Sequence, residues 1–231
     1  MQSMAARAHC RTLGRMSSRS RVPRPAARRL SLYLRELKLR ARDGSATISS
    51  RQLGEALGLT DAQVRKDLAH FGHFGQPGVG YRCVDLLERL RMIMGIDRAW
   101  PCVLVGAGNI GRALLSYRRF EEDGFEIKAV FDRSRDIVGT TIAGHKVRPI
   151  EDVVRGVASL KAEIGIVAVP ADAAPVVAAM LVDARIRGIL NFTPCRLDVP
   201  AAICVRNVDF SVALEQLAFD VSLAAAQDDE S

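Results

Sequence analysis

Three glycines, Gly106, Gly108 and Gly111, stand at GxGxxG spacing directly after the apolar run of residues 101–105. A strand followed by this glycine pattern and then by a helix is typical of a dinucleotide-binding turn. The first glycine permits the tight turn, the second lets the backbone approach a pyrophosphate, and the third lets helix and strand pack closely. The sequence therefore predicts that a dinucleotide contacts the loop formed by Gly106, Ala107, Gly108, Asn109, Ile110 and Gly111.

A carboxylate follows at the distance expected for ribose recognition. The next apolar run, residues 127–131, ends at Asp132, which is 21 positions after Gly111. The expected spacing is about 20, and a carboxylate there accepts from the 2′-hydroxyl and repels a 2′-phosphate. Arg133 and Arg135 could instead hold a 2′-phosphate, but Asp132 occupies the strand-end position. We therefore expect NADH and NAD+ as ligands.

The elements that position these residues alternate between apolar runs and amphipathic stretches. The apolar runs are residues 102–105, 127–131, 164–169 and 189–192, and the amphipathic stretches are residues 110–119, 150–160 and 173–187. Alternating strands and helices predict an α/β, Rossmann-like domain with a parallel sheet. Ligands of such sheets bind beyond the carboxyl ends of the strands. Pro170 could therefore line the nicotinamide end, or it could be ordinary strand-to-helix punctuation.

Catalytic groups are scarce after the glycine motif. A dehydrogenase needs a proton donor or acceptor beside the nicotinamide and a substrate domain. Only about 120 residues remain, and His145 is the only histidine and Tyr117 the only tyrosine among them. This favours a sensor over an enzyme. A small NAD-dependent oxidoreductase with an appended helical domain stays as the alternative, and a nucleotide-binding subunit of the CoA-ligase type is a third possibility.

Two short helices joined by a tight turn are predicted upstream. The first opens at Ser49, with Gln52 three residues on, and ends at Gly58. The second opens at Thr60, with Gln63 three residues on. Ser or Thr followed by Gln at this spacing is the capping box that begins a helix. The pair has the spacing of a helix-turn-helix.

The second helix, predicted from about residue 61 to 71, presents Gln63, Arg65 and Lys66 outward. Amides and cations on an exposed helix face suit the major groove of DNA, although a plain three-helix scaffold with a basic face is the alternative. Residues 72–81 then alternate glycine with larger residues, which predicts a hairpin or a plain glycine turn. A hairpin directly after a recognition helix would be a wing that reaches the minor groove.

Charge is distributed unevenly along the chain. Residues 1–80 hold 15 Lys+Arg and 5 Asp+Glu, whereas the whole chain has a net charge of +7. The first third is therefore strongly basic and the remainder mildly acidic, which favours a polyanion at one end.

Composition divides the chain into four parts. Residues 1–22 contain Arg and Ser but no acidic residue, which predicts a disordered basic arm, with an organelle transit peptide as the alternative. We assign residues 23–95 to a winged-helix DNA-binding domain, residues 96–209 to a Rossmann NAD(H)-binding domain, and residues 210–231 to a C-terminal dimerisation helix and tail. One face of that helix is apolar and could pack on a partner or on its own domain. This face consists of Leu214, Leu217, Ala218 and Val221.

Hydropathy and cysteine spacing indicate the compartment. No apolar run approaches the roughly 20 residues of a membrane span. The five cysteines lack CxxC spacing and show no metal-binding pattern with histidine. We therefore expect no disulfide framework, no metal and a reducing, cytoplasmic location. Cys195 could be an exposed thiol, with burial as the simpler interpretation.

Taken together, these motifs resemble the Rex family of bacterial redox-sensing transcriptional repressors. The resemblance covers about residues 23–219. It is carried by residues 49–54, 63–68, 71–75, 78–81, 106–111, 188–192 and 208–210.

The resemblance implies a homodimer that exchanges C-terminal helices, binds an inverted-repeat operator, and releases it when NADH rather than NAD+ binds. It implies that Tyr117 lies near the nicotinamide and forms a relay with Arg35 and with Asp209 of the partner subunit. The residues assigned to the DNA face are Ser50, Gln63, Arg65, Lys66, Gly78, Gly80 and Tyr81.

Three features depart from the family pattern. Gln76 and Pro77 stand at the wing tip, where basic residues are usual, which concerns the minor-groove contact. Thr193 and Cys195 replace small apolar residues in a strand-end turn, which concerns ligand preference. The basic arm before Pro23 is long for the family and could supply phosphate contacts or have no role.

Overall fold

The chain divides between Asp97 and Arg98 into two parts, which we call the N-terminal and C-terminal units. The computed structural model describes residues 24–72, 74–75 and 78–228. The predicted basic arm and the wing-tip residues Gln76 and Pro77 lie outside the described residues.

Helices and one small sheet form the described part of the N-terminal unit. In chain order the elements are α1 (Arg24–Arg42), β1 (Thr47–Ile48), α2 (Ser50–Leu57), α3 (Asp61–Ala69), β2 (Tyr81–Arg82) and α4 (Cys83–Met94). The two strands pair antiparallel, with Ile48 opposite Tyr81. The glycine-rich segment therefore lies between the second helix of a helix-turn-helix and a returning strand, which is the arrangement of a winged helix.

The core of this unit is built from one face of each helix. Leu30, Leu34 and Leu37 recur at helical spacing on α1, and all three are buried. The side chains that pack with them include Leu53, Val64, Leu68, Leu86 and Leu90.

The predicted caps define where α2 and α3 begin. Ser49 Oγ accepts from the backbone N–H of Gln52 at 3.1 Å, and the Gln52 side-chain oxygen accepts from the N–H of Ser49 at 2.9 Å. Gly58 ends α2 in the left-handed conformation. Thr60 Oγ1 caps α3 by accepting from the N–H of Gln63 at 3.1 Å. The first capping box is thus complete, whereas at the second the described hydrogen bond runs from backbone to Thr60 alone.

The C-terminal unit alternates strands and helices. Its elements are β3 (Trp100–Val105), α5 (Asn109–Leu115), α6 (Arg119–Glu122), β4 (Phe125–Asp132), β5 (Thr141–Ile142), β6 (His145–Pro149), α7 (Val153–Leu160), β7 (Ile164–Val167), α8 (Ala174–Asp183), β8 (Gly188–Asn191), β9 (Cys204–Asn207) and α9 (Phe210–Asp228). The strand order is β5-β6-β4-β3-β7-β8-β9. Every pair is parallel except β5 with β6.

The central strand β3 is where the strand order reverses. From β3 the chain builds outward to β4 and β6 on one side, then to β7, β8 and β9 on the other. Val103 and Val105 face one buried cluster, and Cys102 and Leu104 face the other, so β3 is covered on both sides. Ligands bind at the carboxyl end of such a reversal point, and the glycine loop follows β3 there.

Two features of this unit differ from the sequence prediction. The amphipathic stretch of residues 110–119 is broken into α5 and α6, with a turn at residues 116–118. Strand β9 returns to the sheet edge before the last helix, where none was expected. Its pattern is exposed, half-buried, exposed, exposed, so it contains no apolar run that could reveal a strand.

The last helix, α9, exposes its apolar side chains. The large exposed ones are Phe210, Val212, Leu214, Leu217, Phe219, Val221 and Leu223. Among the described residues, no helix is both long enough and apolar enough to cross a membrane.

Candidate functional site

The glycine loop after β3 is shaped by two close backbone approaches. Gly106 has φ +99°, and a Cβ there would stand 2.3 Å from the carbonyl oxygen of Ala168. A Cβ on Gly111 would stand 2.0 Å from the carbonyl oxygen of Gly106. Neither position has room for a side chain, which explains why α5 can lie directly against the carboxyl end of β3.

Gly108 is glycine for a different reason. A Cβ there would have nothing within 4 Å, so the surrounding protein does not require a glycine. The backbone at Gly108 instead borders a cavity of about 270 Å³, which we call the glycine-loop cavity. Its lining consists of Val105, Gly106, Gly108, Asp132, Arg133, Ser134, Ile137, Ile150, Ala168, Val169, Pro170, Ala173 and Val177. An open backbone beside a cavity is what close approach of a pyrophosphate requires.

Asp132 lines this cavity and also holds the loop in place. Its Oδ2 accepts from the backbone N–H of Ala107 at 2.7 Å, and its Oδ1 accepts from the N–H of Ser134 at 2.8 Å. One carboxylate thereby joins the loop after β3 to the turn after β4. Each oxygen has a second lone-pair site, so the side chain can still accept from a ribose hydroxyl. The sequence carried no sign of this added structural role.

Tyr117 lies away from the glycine-loop cavity. Helix α5 spans 7 residues, which at about 1.5 Å per residue carries the chain roughly 10 Å from the loop. Tyr117 follows that helix, is half exposed, and meets Phe120 edge-on at 5.1 Å between ring centroids. It lines a second cavity, of about 420 Å³, together with His145. Its expected place near the nicotinamide stays a prediction.

The turn after β8 is organised by a buried amide that sequence reasoning missed. The Asn191 side-chain oxygen accepts from the N–H of Thr193 at 3.0 Å and from its hydroxyl at 2.7 Å. The Asn191 amide nitrogen donates to the carbonyl oxygen of Cys195 at 2.9 Å. The Cys195 sulfur, on a partly buried residue, lies 3.1 Å from the Thr193 hydroxyl oxygen. Asn191, Thr193 and Cys195 are therefore part of one polar cluster.

Residues assigned to the DNA face meet between α3 and the wing. A surface cavity of about 550 Å³ is lined by five of them, namely Ser50, Arg65, Gly78, Gly80 and Tyr81. Arg65 Nη1 donates to Ser50 Oγ at 3.2 Å, which ties the two helices of the helix-turn-helix together.

Two cations, Arg65 and Lys66, are exposed on α3. Arg65 forms an ion pair with Asp61 at 2.6 Å, with both side chains about half exposed. The pKa of the Asp61 carboxyl is lowered, chiefly by the hydrogen bond from Arg65. Lys66 is exposed on the same helix. An exposed pair contributes only about 0–1 kcal/mol, so Arg65 can leave Asp61 for another anionic partner at small cost.

Behind this surface lies a carboxylate that sequence reasoning also missed. Asp67 is only 1% exposed. Its Oδ2 accepts from Arg29 Nε at 2.5 Å and from the Tyr33 hydroxyl at 2.7 Å. Its Oδ1 accepts from Arg29 Nη2 and Gln63 Nε2, both at 2.8 Å. Burial by itself raises the pKa of Asp67, but the hydrogen bonds from these partners outweigh it, and the pKa lies below its ordinary value.

The expected relay residues occupy different units. Arg35 is exposed on α1 of the N-terminal unit. Asp209 precedes α9, where its Oδ1 accepts from the N–H of Ser211 at 2.9 Å. The relay itself stays a prediction. Among the described residues, no group of His, Cys, Asp or Glu side chains is arranged to hold a metal ion.

Two family models match the chain. One, described as "CoA binding domain", covers residues 97–195, and the other, described as "Putative DNA-binding protein N-terminus", covers residues 21–69. The first match therefore corresponds to the C-terminal unit and the second to the N-terminal unit.

Whole-chain relatives are closely similar. The redox-sensing transcriptional repressor Rex of Carboxydothermus hydrogenoformans is 46% identical over 201 residues, which cover 87% of this chain and 97% of that protein. The protein of the same name from Desulforamulus reducens is 44% identical over 203 residues, covering 88% and 97%.

Solved structures agree with the fold of both units. RSP in complex with β-NAD+ and operator DNA is 36% identical with a TM-score of 0.83, covering 90% of this chain and 95% of that one. RSP in complex with β-NADH is 34% identical with a TM-score of 0.83, covering 91% and 99%. RSP is described as a Rex-family repressor in a third structure, with 35% identity, a TM-score of 0.81, and coverage of 89% and 96%.

A winged helix followed by a Rossmann-like domain defines a class of transcriptional regulators that couple DNA binding to a nucleotide ligand. The relatives, which match nearly their whole length, specify the family within that class. This chain belongs to the Rex family of redox-sensing transcriptional repressors. The prediction of a repressor, in preference to an oxidoreductase, is confirmed by these relatives.

Proposed function

We propose that this chain represses transcription by holding an inverted-repeat operator and releases that DNA when NADH binds. The observation that carries the proposal is the open backbone of Gly108 beside the glycine-loop cavity, in a chain whose described residues also include a helix-turn-helix followed by a returning strand. One RSP structure contains β-NADH, and another contains β-NAD+ with operator DNA. These structures support a nicotinamide dinucleotide and DNA as the ligands of this chain.

The dinucleotide is proposed to lie over the loop of residues 106–111, with its adenosine ribose at Asp132. That carboxylate lines the cavity and has acceptor capacity left for a 2′-hydroxyl. A 2′-phosphate would place like charges together, so NADH and NAD+ are preferred over their phosphorylated forms. Pro170 lines the same cavity and is proposed to border the nicotinamide end.

The DNA is proposed to lie against α3 and the wing. Arg65, Lys66 and Gln63 would enter the major groove, with Ser50 held beside Arg65. Gly80 has φ +89°, and a Cβ there would stand 2.6 Å from the carbonyl oxygen of Ile48. The backbone at Gly80 therefore packs tightly on β1, and Gly78 and Gly80 are proposed to lie beside the DNA.

A homodimer is proposed through α9. Seven large apolar side chains of this helix are at least 47% exposed, and a concentration of exposed apolar side chains is typical of a surface that a partner covers. Leu217→Glu should therefore convert the protein to a monomer by light scattering, whereas a charge at an already polar position, Gln216→Glu, should leave the dimer intact. A dimer that survives Leu217→Glu would contradict this assignment.

As a DNA-binding regulator the protein is proposed to act in the cytoplasm.

Release of DNA is a population shift between two states of the dimer. NADH can lower DNA affinity only by binding the DNA-free state more tightly, and a tenfold preference corresponds to about 1.4 kcal/mol. The relay of Tyr117, Arg35 and Asp209 of the partner subunit is proposed to carry this coupling.

The test uses a labelled duplex that the protein itself enriches from a randomised inverted-repeat library. Fluorescence anisotropy at one fixed salt concentration measures binding, after which NADH and NAD+ are added separately. We expect NADH to release DNA at a much lower concentration than NAD+. Binding of DNA that neither nucleotide changes would contradict redox sensing, and no binding at low salt would contradict the repressor.

A further inference from the structure

The polar cluster around Asp67 connects the interior of the N-terminal unit to its DNA face. Arg29 and Tyr33 belong to α1, Asp67 and Gln63 belong to α3, and the four hydrogen bonds measure 2.5–2.8 Å. An ionised carboxylate offers about four lone-pair sites, so these donors fill the carboxylate. With Asp67 almost fully buried, the cluster has little freedom to rearrange.

This cluster decides which way the Gln63 amide faces. An ionised carboxylate only accepts hydrogen bonds, so the amide nitrogen of Gln63 rather than its oxygen must face Asp67. The amide group is planar, and its carbonyl oxygen lies on the other side of the same carbon. Gln63 is therefore held with its acceptor directed away from Asp67.

Because its side chain bonds to Asp67, Gln63 does not play the part of a glutamine in a capping box. At α2, the corresponding Gln52 turns its side chain back to the helix start, where it accepts from Ser49. Gln63 occupies the equivalent third position of α3 after Thr60, yet its side chain bonds forward to Asp67, one turn along. The two glutamines thus have the same spacing in sequence and different orientations in the fold.

We propose that Asp67 is a positioning residue for DNA specificity, which holds Gln63 so that its carbonyl oxygen accepts from a base-edge amine in the major groove. This inference rests on the proposed function, because it requires α3 to enter that groove. The amines available there are adenine N6 and cytosine N4, whereas guanine presents acceptors. At a single position of each half-site, Gln63 would therefore favour adenine or cytosine over guanine or thymine on the strand that it contacts.

The experiment compares full-length wild type with Asp67→Asn and Gln63→Met. In the first variant, asparagine is nearly the same size as aspartate but can present either an acceptor or a donor to Gln63, so the Gln63 amide can turn. In the second, methionine removes the amide while keeping the length of the side chain. Asp43→Asn, at an exposed carboxylate beyond α1, is the control for the loss of one negative charge. Each protein enriches duplexes from a library with randomised half-sites, and the base preferences are read by sequencing.

We expect the wild type to prefer adenine or cytosine about tenfold over guanine or thymine at the position that Gln63 contacts, within the range of a single mismatch. Asp67→Asn and Gln63→Met should both reduce that preference to about twofold or less at this position and keep the preferences elsewhere. The control should keep them all. A merely structural role would weaken binding to every duplex in proportion and leave the relative preferences unchanged.

Other outcomes separate this inference from the proposed function. If the wild type enriches a motif and Asp67→Asn enriches the same motif at every position, the role of Asp67 is refuted and the repressor stands. If the wild type enriches no sequence, the role of Asp67 and the proposed repressor function are both refuted. Should Asp67→Asn not fold, the side-chain amide NMR signals of wild-type Gln63, identified by their loss in Gln63→Met, decide. One protected, hydrogen-bonded proton supports the orientation, and two rapidly exchanging protons overturn it.

Discussion

Alanine substitutions at Gly108 and Gly111 should separate ligand binding from folding. The two positions are three residues apart in one loop, and the added methyl group is the same. At Gly111 the methyl would stand 2.0 Å from the carbonyl oxygen of Gly106, whereas at Gly108 it would meet nothing within 4 Å. The substitution therefore tests two different physical demands with one chemical change.

For Gly111→Ala we expect loss of stability. Carbon atoms bonded to Cα essentially never approach within 3.0 Å of such a neighbour, so α5 would have to move by about 1 Å relative to β3. Overpacking of this kind costs about 1–3 kcal/mol. In a domain of this size each 1 kcal/mol lowers the melting temperature by roughly 3–5 °C. Calorimetry or urea unfolding, followed for the C-terminal unit, measures the change.

For Gly108→Ala we expect normal stability and weakened NADH binding. Its φ of −72° suits alanine, so folding should change by less than about 1 kcal/mol. The methyl would occupy the path of the pyrophosphate, and we expect at least about a tenfold loss of affinity, or 1.4 kcal/mol. Titration calorimetry with NADH checks this. The reasoning is refuted if Gly108→Ala binds NADH as the wild type does, or if it unfolds together with Gly111→Ala.

Three further experiments test other parts of the molecule. Arg65→Ala and Lys66→Ala should weaken operator binding in anisotropy titrations while NADH affinity stays unchanged, with the exposed Arg155→Ala of α7 as the control; equal operator affinity would remove α3 from the interface. Asp132→Ala should reduce NADH affinity and narrow its margin over NADPH in parallel titrations, and an unchanged ratio would show that another group discriminates. The pKa of Asp67 is lowered in the fold, so its contribution to stability is present above the unfolded value and is lost as pH falls below about 4. Acid unfolding of the N-terminal unit should lose this pH dependence in Asp67→Asn, and identical acid profiles would argue against an ionised Asp67.

Local patterns in the sequence were sufficient to predict several elements. The capping signal at Ser49 and Gln52 and the helix stop at Gly58 act within one turn of chain, so neighbouring residues determine them. The glycine roles at Gly106 and Gly111 were also predicted, because a strand, a tight turn and a helix in immediate succession leave few ways to pack.

Elements held by distant contacts were harder to predict. Strand β9 is exposed along most of its length and has no apolar pattern, yet it pairs with β8 because the edge of the sheet offers free backbone groups. The break between α5 and α6 was likewise missed. The short β5–β6 hairpin was not predicted, since it depends on pairing with β4 rather than on its own hydropathy.

The sequence by itself determined the class of each site, because the glycine spacing, the strand-end Asp132 and the cations of α3 are all local chemistry. Only the tertiary structure decided how individual polar groups are used. Asp132 also holds the loop through Ala107, and Gln63 turns to Asp67 instead of to its own helix start. These partners lie in other turns or other elements, and burial makes each unsatisfied polar atom costly, so the fold rather than the local sequence selects the hydrogen bonds.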